Sequence, residues 1–235
     1  MSEEIKSMFS RISAKYDFMN TVISLGVHSR WRKKAVKLSG VKKGGSVIDC
    51  ASGTGDLAFE FKKKVGKNGN VTAYDFCREM LDCIGPKSIK NGLNINTICG
   101  DITNMNVPDS LFDAASISFG IRNVDDPAKG LSEMSRVVKN GGKVVILETG
   151  KPRGVNGKIY RLYGKFVIPV LGKLFAKDYE AYKYFADTSG RFPYGDKFLE
   201  IMKNTGKLEN CISFPQTFGV AYIYVGTVKK TSNKD

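Results

Sequence analysis

Three clusters in the chain have the residue types and spacing to hold a nucleoside. The first is Asp49-Cys-Ala-Ser52-Gly53-Thr54-Gly55-Asp56, whose glycines let backbone amides come close to a ligand and let a helix begin at once. Asp75 follows twenty residues after Gly55. A carboxylate there, at the tip of the next strand, accepts hydrogen bonds from both ribose hydroxyls of an adenosine. Gly100-Asp101-Ile102 brings a further carboxylate and a backbone amide to where an adenine edge would lie. Taken alone, Gly53-x-Gly55-x-x-Ala58 also passes as a loose dinucleotide fingerprint. A tight strand-to-helix turn without a ligand is the plain structural alternative.

Those clusters have to sit on the ends of strands. Residues 46–51 read as a short buried strand, and the helical pattern of Leu57, Ala58, Phe61 and Val65 stops at Gly66. Further strands read at 70–75, 94–99, 112–118 and 142–148, with helices through Met80, Leu81 and Ile84 and over 127–139. Strands alternating with helices predict right-handed crossovers and a doubly wound α/β sheet that is mostly parallel. A helix near 197–204 precedes two β-rich runs, 208–214 and 221–228, which bring the expected strand count to seven. All of this reads as one domain. Residues 46–150 form its cofactor-binding core, 1–45 an N-terminal helical cap, 151–193 a helical insertion, and 194–228 a closing helix and strand pair.

The chain has 235 residues, 42% hydrophobic and 26% charged, which excludes a disordered, collagenous or coiled-coil protein. No apolar run approaches the ~18 residues that span a bilayer. Five cysteines without a C-x-x-C pair, and a single histidine, leave no basis for a Cys/His metal site. The opening Met-Ser-Glu-Glu-Ile-Lys resembles neither a signal nor a transit peptide, so a cytoplasmic protein with reduced thiols is expected.

The net charge of +14 is unevenly spread: residues 1–45 carry +7, residues 46–150 carry −1, residues 151–185 carry +6 and the remainder +2. A field of that kind favours anionic partners, either nucleic acid or an anionic membrane surface. Lysine spent freely on solvated faces would look the same.

Arg136-Val-Val-Lys-Asn-Gly-Gly142-Lys, ahead of the fifth strand, joins the glycine loop, Asp75 and Gly100-Asp101 in a set that resembles the class I S-adenosylmethionine methyltransferases. Four blocks outside that shared core narrow the resemblance. They are Ala14-Lys-Tyr16-Asp17-Phe-Met-Asn20, Ser24-Leu-Gly-Val-His28-Ser-Arg30-Trp31, Ser116-Ile-Ser118-Phe-Gly120-Ile-Arg122-Asn123 and Glu148-Thr-Gly-Lys151-Pro152. Together they are similar to the ubiquinone/menaquinone biosynthesis C-methyltransferases, from about residue 9 to 226. A weaker match runs from Tyr184 and Ser189 into Phe192-Pro193. The chain departs from that family's usual E-F-S-K-P at Thr149-Gly150, and from its S-I-R block at Ser189-Gly190-Arg191.

The resemblance implies S-adenosyl-L-methionine as cofactor, contacted by Thr54, Asp75, Asp101, Ile102 and Ser118, with Asp49, Ser52, Gly53 and Gly55 completing the loop. It implies methylation of a ring carbon of a prenylated quinol precursor, a demethylmenaquinol or a ubiquinol precursor. Carbon becomes a nucleophile there once a ring hydroxyl loses its proton, so the protein must align the ring and stabilise a phenolate. Arg122 is too basic to take that proton and suits polarising the ring oxygen, with Asn123 fixing orientation. Water, His28 or Tyr16 would then be the base. Plainer roles exist for each: Arg122 could hold Asp125 or Asp126, His28 could cap a helix, and Tyr16 could pack the cap onto the core.

In the +6 segment, Lys158, Arg161, Lys165, Lys173 and Lys177 interleave with Val155, Ile159, Leu162, Tyr163, Phe166, Val167, Val170, Leu171, Leu174 and Phe175. Their spacing predicts an amphipathic helix interrupted at Pro169, suited to an anionic membrane surface at the inner face of the membrane or to a homodimer contact. The rival functions are a methyltransferase acting on RNA or another small molecule, a nicotinamide oxidoreductase, and a non-catalytic cofactor-binding regulator. Methyltransferases of exocyclic base nitrogens carry a proline pair after strand four, and Phe119-Gly-Ile-Arg122-Asn123 has none, so no nucleic-acid partner is expected.

Overall fold

The computed structural model describes residues 3–152, 154–171 and 178–230. Seven strands form one sheet in the order β3-β2-β1-β4-β5-β7-β6. They are β1 (Ser46–Cys50), β2 (Asn70–Asp75), β3 (Asn96–Cys99), β4 (Phe112–Ser118), β5 (Val138–Thr149), β6 (Leu208–Gln216) and β7 (Ala221–Val228). The first five pair in parallel, while β7 runs antiparallel between β5 and β6. The strand order reverses between β1 and β4, and ligands of open parallel sheets sit beyond such a switch point.

The alternation of strands and helices therefore reads through to the architecture, with the sharpest differences at the edges of elements. The helix expected over 127–139 ends at Val137, because Val138 already pairs with Phe112 and opens β5. The irregular register that follows takes up Asn140-Gly141-Gly142, where Gly141 has φ of +77°. Apolar side chains fill both faces of the sheet, among them Ile48, Ile117, Leu131 and Ile146 on one side and Val47, Phe61, Val71 and Leu81 on the other.

Helices α1 (Glu3–Ile12), α2 (Tyr16–Ser24) and α3 (His28–Leu38) precede the sheet. Helix α4 (Asp56–Val65) follows β1, α5 (Arg78–Asp82) and α6 (Ile84–Asn91) follow β2, and α7 (Pro127–Val137) precedes β5. After β5 come α8 (Gly154–Leu162), a π-helical turn (Tyr163–Val167), α9 (Ile168–Leu171), α10 (Tyr179–Arg191) and α11 (Asp196–Asn204).

The interruption expected at Pro169 lies instead at the π turn before it, and helix continues through Pro169 to Leu171. A proline has no N–H to bond the carbonyl four residues back, and a widened preceding turn accommodates that loss. Lys173, Leu174, Phe175 and Lys177 lie outside the described residues, as do the side chains of Val155, Ile159 and Arg161. Met8, Ile12, Met19, Ile168 and Ala181 are buried together, with Tyr16, Ile23, Tyr163, Tyr184 and Phe185 packed against them. The N-terminal helices and the segment after β5 thus share one apolar cluster that roofs the carboxyl ends of the strands.

Candidate active site

The carboxyl end of β1 turns into α4 through backbone that few side chains tolerate, with φ of +45° at Ala51, +56° at Gly53 and +84° at Gly55. Gly55 is small because a Cβ there would stand 2.9 Å from Ile84, whereas at Gly53 the nearest atoms would be Met80 Cε at 3.5 Å and Tyr16 Cε1 at 3.9 Å. At Gly53 it is the left-handed φ, more than lack of room, that calls for glycine. Its amide donates to Asp75 Oδ2 at 2.8 Å, and the Cys77 amide donates to Oδ1 at 2.8 Å. With a further backbone bond from Phe76, the carboxylate still has accepting capacity left for a ligand, since its two oxygens together take about four. Burial raises the Asp75 pKa, and the amide bonds oppose that rise.

Two adjoining clefts of about 350 and 360 Å³ share Ala51, Asp75 and Phe76 as common walls. Gly100, Asp101 and Ile102 line one end, and Gly53, Met80, Ser118 and Asn123 the other. Asp101 Oδ1 accepts from the amide and hydroxyl of Thr103 at 2.8 and 2.9 Å, which holds its pKa down. The Ser118 hydroxyl is buried with no hydrogen-bond partner, a donor left for something in the cleft. A left-handed glycine turn, an amide-held carboxylate and an unpartnered hydroxyl in one continuous groove fit an adenosyl cofactor with a polar tail.

The other loop residues are turned inward. Asp49 is buried and accepts from the hydroxyls of Ser52 at 2.9 Å and Ser116 at 2.6 Å, tying β1 to β4. Burial pushes its pKa up to about 7. The Thr54 hydroxyl donates to Asp17 of α2. Asp17 also pairs with Lys87, which reaches the Thr54 carbonyl at 2.9 Å and Asp56 at 3.1 Å, while Arg32 pairs with Asp56 at 2.7 Å. Thr54 thus joins an ionic latch between the cap and the glycine turn, which the sequence alone did not reveal.

A third cavity, of about 600 Å³ counted with its mouth open to solvent, lies beside the cofactor groove, and Tyr16 and Phe119 line both. Tyr16, Asn20 and Ser24 reach this cavity because residues four apart share a helix face. Trp31, Tyr160, Tyr163, Ile168, Phe185 and Val220 make the rest of the wall predominantly apolar. Phe119 holds a left-handed φ of +56° while its amide bonds the Leu147 carbonyl at 2.8 Å, so the strand end itself aims the ring. A smaller cavity of about 380 Å³ adjoins, bounded by Arg122, Tyr184 and Phe185 with Phe9, Tyr16 and Asn20.

His28 opens α3, is buried, lines the large cavity and has Nδ1 against the Ser24 hydroxyl. Burial, with Arg32 nearby, pushes its pKa down to about 4. Loss of hydration raises the Tyr16 pKa against the pull of Arg122. Asn123 lines the cofactor groove and accepts from the Tyr184 hydroxyl at 3.1 Å. Arg122 does hold a carboxylate, but neither of the two expected. Its Nη1 donates to Glu148 Oε1 at 2.7 Å, and its guanidinium carbon lies 5.0 Å from the Phe185 ring centroid. Asp126 instead caps α7 by accepting from the Lys129 amide. Sequence reasoning missed Glu148, Phe119, Tyr160 and Phe185 as site residues. The available signal for Glu148 was its place one residue before the end of β5, the neighbour of the strand that leads to Arg122.

Comparison with known proteins places the chain. The model of the ubiE/COQ5 methyltransferase family matches residues 1–228. The chain is 48% identical over 228 residues to the ubiquinone/menaquinone biosynthesis C-methyltransferase UbiE of Bdellovibrio bacteriovorus, covering 97% of each. It is 41% identical over 234 residues to the demethylmenaquinone methyltransferase of Staphylococcus haemolyticus, covering 99% of this chain and 97% of the other. Among solved structures, a SAM-dependent methyltransferase of Thermotoga maritima superimposes with TM-score 0.67 at 18% identity, over 95% of this chain and 99% of that one. Phosphoethanolamine N-methyltransferase 2 of Haemonchus contortus in complex with S-adenosyl-L-methionine gives 0.63 at 15%, over 86% and 53%. At those identities the likeness is one of fold.

Proposed function

Because the chain belongs to the ubiE/COQ5 methyltransferase family, we infer that it methylates a ring carbon of a prenylated quinol precursor in respiratory quinone biosynthesis. S-adenosyl-L-methionine is its cofactor. The observation that carries the reading is the apolar cavity set against the cofactor groove, with Tyr16 and Phe119 in both walls. A flat aromatic ring with a hydrocarbon tail is the acceptor such a wall suits. When bound, the cofactor supplies a methyl group already activated by its sulfonium.

The residues divide the remaining work. Asp75 accepts from the ribose hydroxyls with its remaining capacity, and Asp101 with the Ile102 amide meets the adenine edge. Gly53 and Ser118 hold the polar tail. Tyr16 and Phe119 clamp the ring so that its carbon stands in line with the methyl–sulfur bond, and such alignment is worth several kcal/mol of barrier. Arg122 stabilises the ring oxygen as it gains charge, and Asn123, braced by Tyr184, sets the angle of approach. Residues 1–45 and 151–193 act as the acceptor half over the cofactor half in 46–150.

A membrane surface is the second part of the proposal. Leu162, Phe166, Val167 and Val170 are exposed along the helical run after β5, beside exposed Lys158 and Lys165, whose Nζ lies 5.3 Å from the Phe166 ring centroid. Among the described residues no helix is long and apolar enough to cross a membrane. A basic, apolar strip lying in the interface would collect a substrate whose tail resides in lipid.

The experiment is transfer of labelled methyl from S-adenosylmethionine into reduced demethylmenaquinone and a reduced ubiquinone precursor, in detergent, with RNA in parallel. Label in a quinol supports the reading. Label only in RNA, or in nothing despite cofactor binding, overturns it. Sedimentation with anionic vesicles at low salt tests the membrane part, and Phe166→Asp is expected to weaken binding by at least tenfold. Equal sedimentation of the variant would show that this strip does not hold the protein to the membrane.

A further inference from the structure

One buried ion pair at the site is incompletely satisfied. The side chains of Arg122 and Glu148 are only 4% and 1% exposed, and one Nη1–Oε1 bond joins them at 2.7 Å. Glu148 Oε1 is saturated, since it also accepts from the Thr149 amide at 2.6 Å and the Thr149 hydroxyl at 3.0 Å. Glu148 Oε2 and Arg122 Nε are both buried and both without a partner. An orphaned buried carboxylate oxygen and an orphaned buried N–H are each costly, so each marks a place for a polar group that the protein itself does not supply. A ligand hydroxyl that donates to Oε2 would satisfy the carboxylate.

Arg122, and the residue next to Glu148, reach the walls of the acceptor cavities. Arg122 lines the smaller cavity, Thr149 and Tyr160 line the larger one, and Phe185, which stacks on the guanidinium, lines both. Tyr160 lies in the electrostatic reach of both Arg122 and Glu148. Resting on the quinol reading above, we propose that Glu148 is the proton acceptor of the reaction, taking the ring hydroxyl's proton on Oε2 while Arg122 keeps the oxygen.

Charge decides between Glu148 and His28. Proton transfer from a phenol to the carboxylate moves one negative charge from Oε2 to the ring oxygen, both beside the same guanidinium. No new charge appears in the apolar cavity. Transfer to His28 would create an imidazolium and a phenolate from two neutral groups, with the cation near Arg32.

With the hydroxyl proton on Glu148, the ring carbon forms its bond to the methyl group as the methyl–sulfur bond breaks, leaving the electron pair on sulfur. The methylated ring then loses its C–H proton to solvent and regains the oxygen proton from Glu148. One proton is released per turnover, matching the positive charge lost from the sulfonium.

Glu148→Gln and Glu148→Asp in the full chain test this. Gln preserves shape and removes the acceptor, so kcat should fall by about 10²–10⁴ with cofactor affinity unchanged. Asp keeps the carboxylate in a shorter side chain and should retain more kcat than Gln. If shape alone mattered, Gln would match or exceed Asp, and that order overturns the proposal. A readout free of turnover is the ionisation of bound 1-naphthol, followed by fluorescence. Glu148→Gln leaves Arg122 unopposed, so bound naphthol should ionise at lower pH than in the wild type. Ionisation at the same pH in both proteins, or naphthol that does not bind, also overturns it. A wild type that moves naphthol as expected but methylates no quinol would instead refute the quinol reading.

Discussion

Replacing Asp75 by Asn is the sharpest perturbation of the cofactor groove, because it removes charge without changing shape. The native carboxylate accepts the Gly53 and Cys77 amides at 2.8 Å each. An amide side chain can accept only one of them. Its NH2 group must then face the other backbone N–H, leaving a buried donor unpaired at a cost of about 1–3 kcal/mol. The ribose hydroxyls lose a charged acceptor as well, and hydrogen bonds to charged groups contribute about 1.5–3 kcal/mol each. Even one such bond plus a slackened Gly53 turn amounts to roughly 3 kcal/mol, or about a hundredfold in Kd at ~1.4 kcal/mol per decade. Isothermal titration of S-adenosylmethionine into the two proteins at pH 7.5 is the assay. A variant that binds within threefold of wild type would show that Asp75 serves the turn alone, and would refute the placement of the ribose.

Three further predictions concern stability and pH. Asp49 titrates near 7 in the fold against an ordinary 3.8, so the folded state holds that proton more tightly than the unfolded chain. Its penalty therefore grows as pH rises from about 4 to 7, at ~1.4 kcal/mol per pH unit separating the two titrations. Asp49→Asn should raise Tm at pH 8 and leave it unchanged at pH 4, and the lack of any gain at pH 8 would contradict the assignment. His28, pushed down to about 4, is already neutral at pH 6.5. His28→Asn should keep kcat within tenfold and leave the acidic limb of the pH–rate profile in place; loss of that limb would make His28 the base. Arg32→Met removes one partner of the Asp56 pair while Lys87 remains, so urea denaturation should show a loss of about 2 kcal/mol. An unchanged midpoint would mean the latch adds nothing to the cap's docking.

The sheet and the cofactor groove were legible in the sequence because they depend on short-range signals. Period-two and period-3.6 patterns mark the strands and helices, and Gly53, Asp75 and Asp101 lie at or just past strand ends. The acceptor cavity was not legible, because its walls meet only through tertiary packing. Tyr160 and Phe185 come from the segment after β5 and meet Tyr16 and His28 across the roof cluster. The two carboxylates expected beside Arg122 were its chain neighbours, whereas its partner lies on the adjacent strand, 26 residues away. Thr54 shows the converse: its position in the loop is readable, but the Asp17–Lys87 latch that turns its hydroxyl away from the groove is not. Pro169 marks a real irregularity, displaced by the π turn that absorbs it.

Methyl transfer to a ring carbon has to win over transfer to the ring oxygen close by. The most direct measurement uses S-adenosylmethionine carrying a ¹³C methyl group, reduced demethylmenaquinone as acceptor, and carbon NMR of the extracted product. An aryl-bound methyl signal, abolished in Glu148→Gln, is the predicted result. A methoxy signal would show that the ring oxygen attacks instead, and would contradict the alignment that Tyr16 and Phe119 are held to impose.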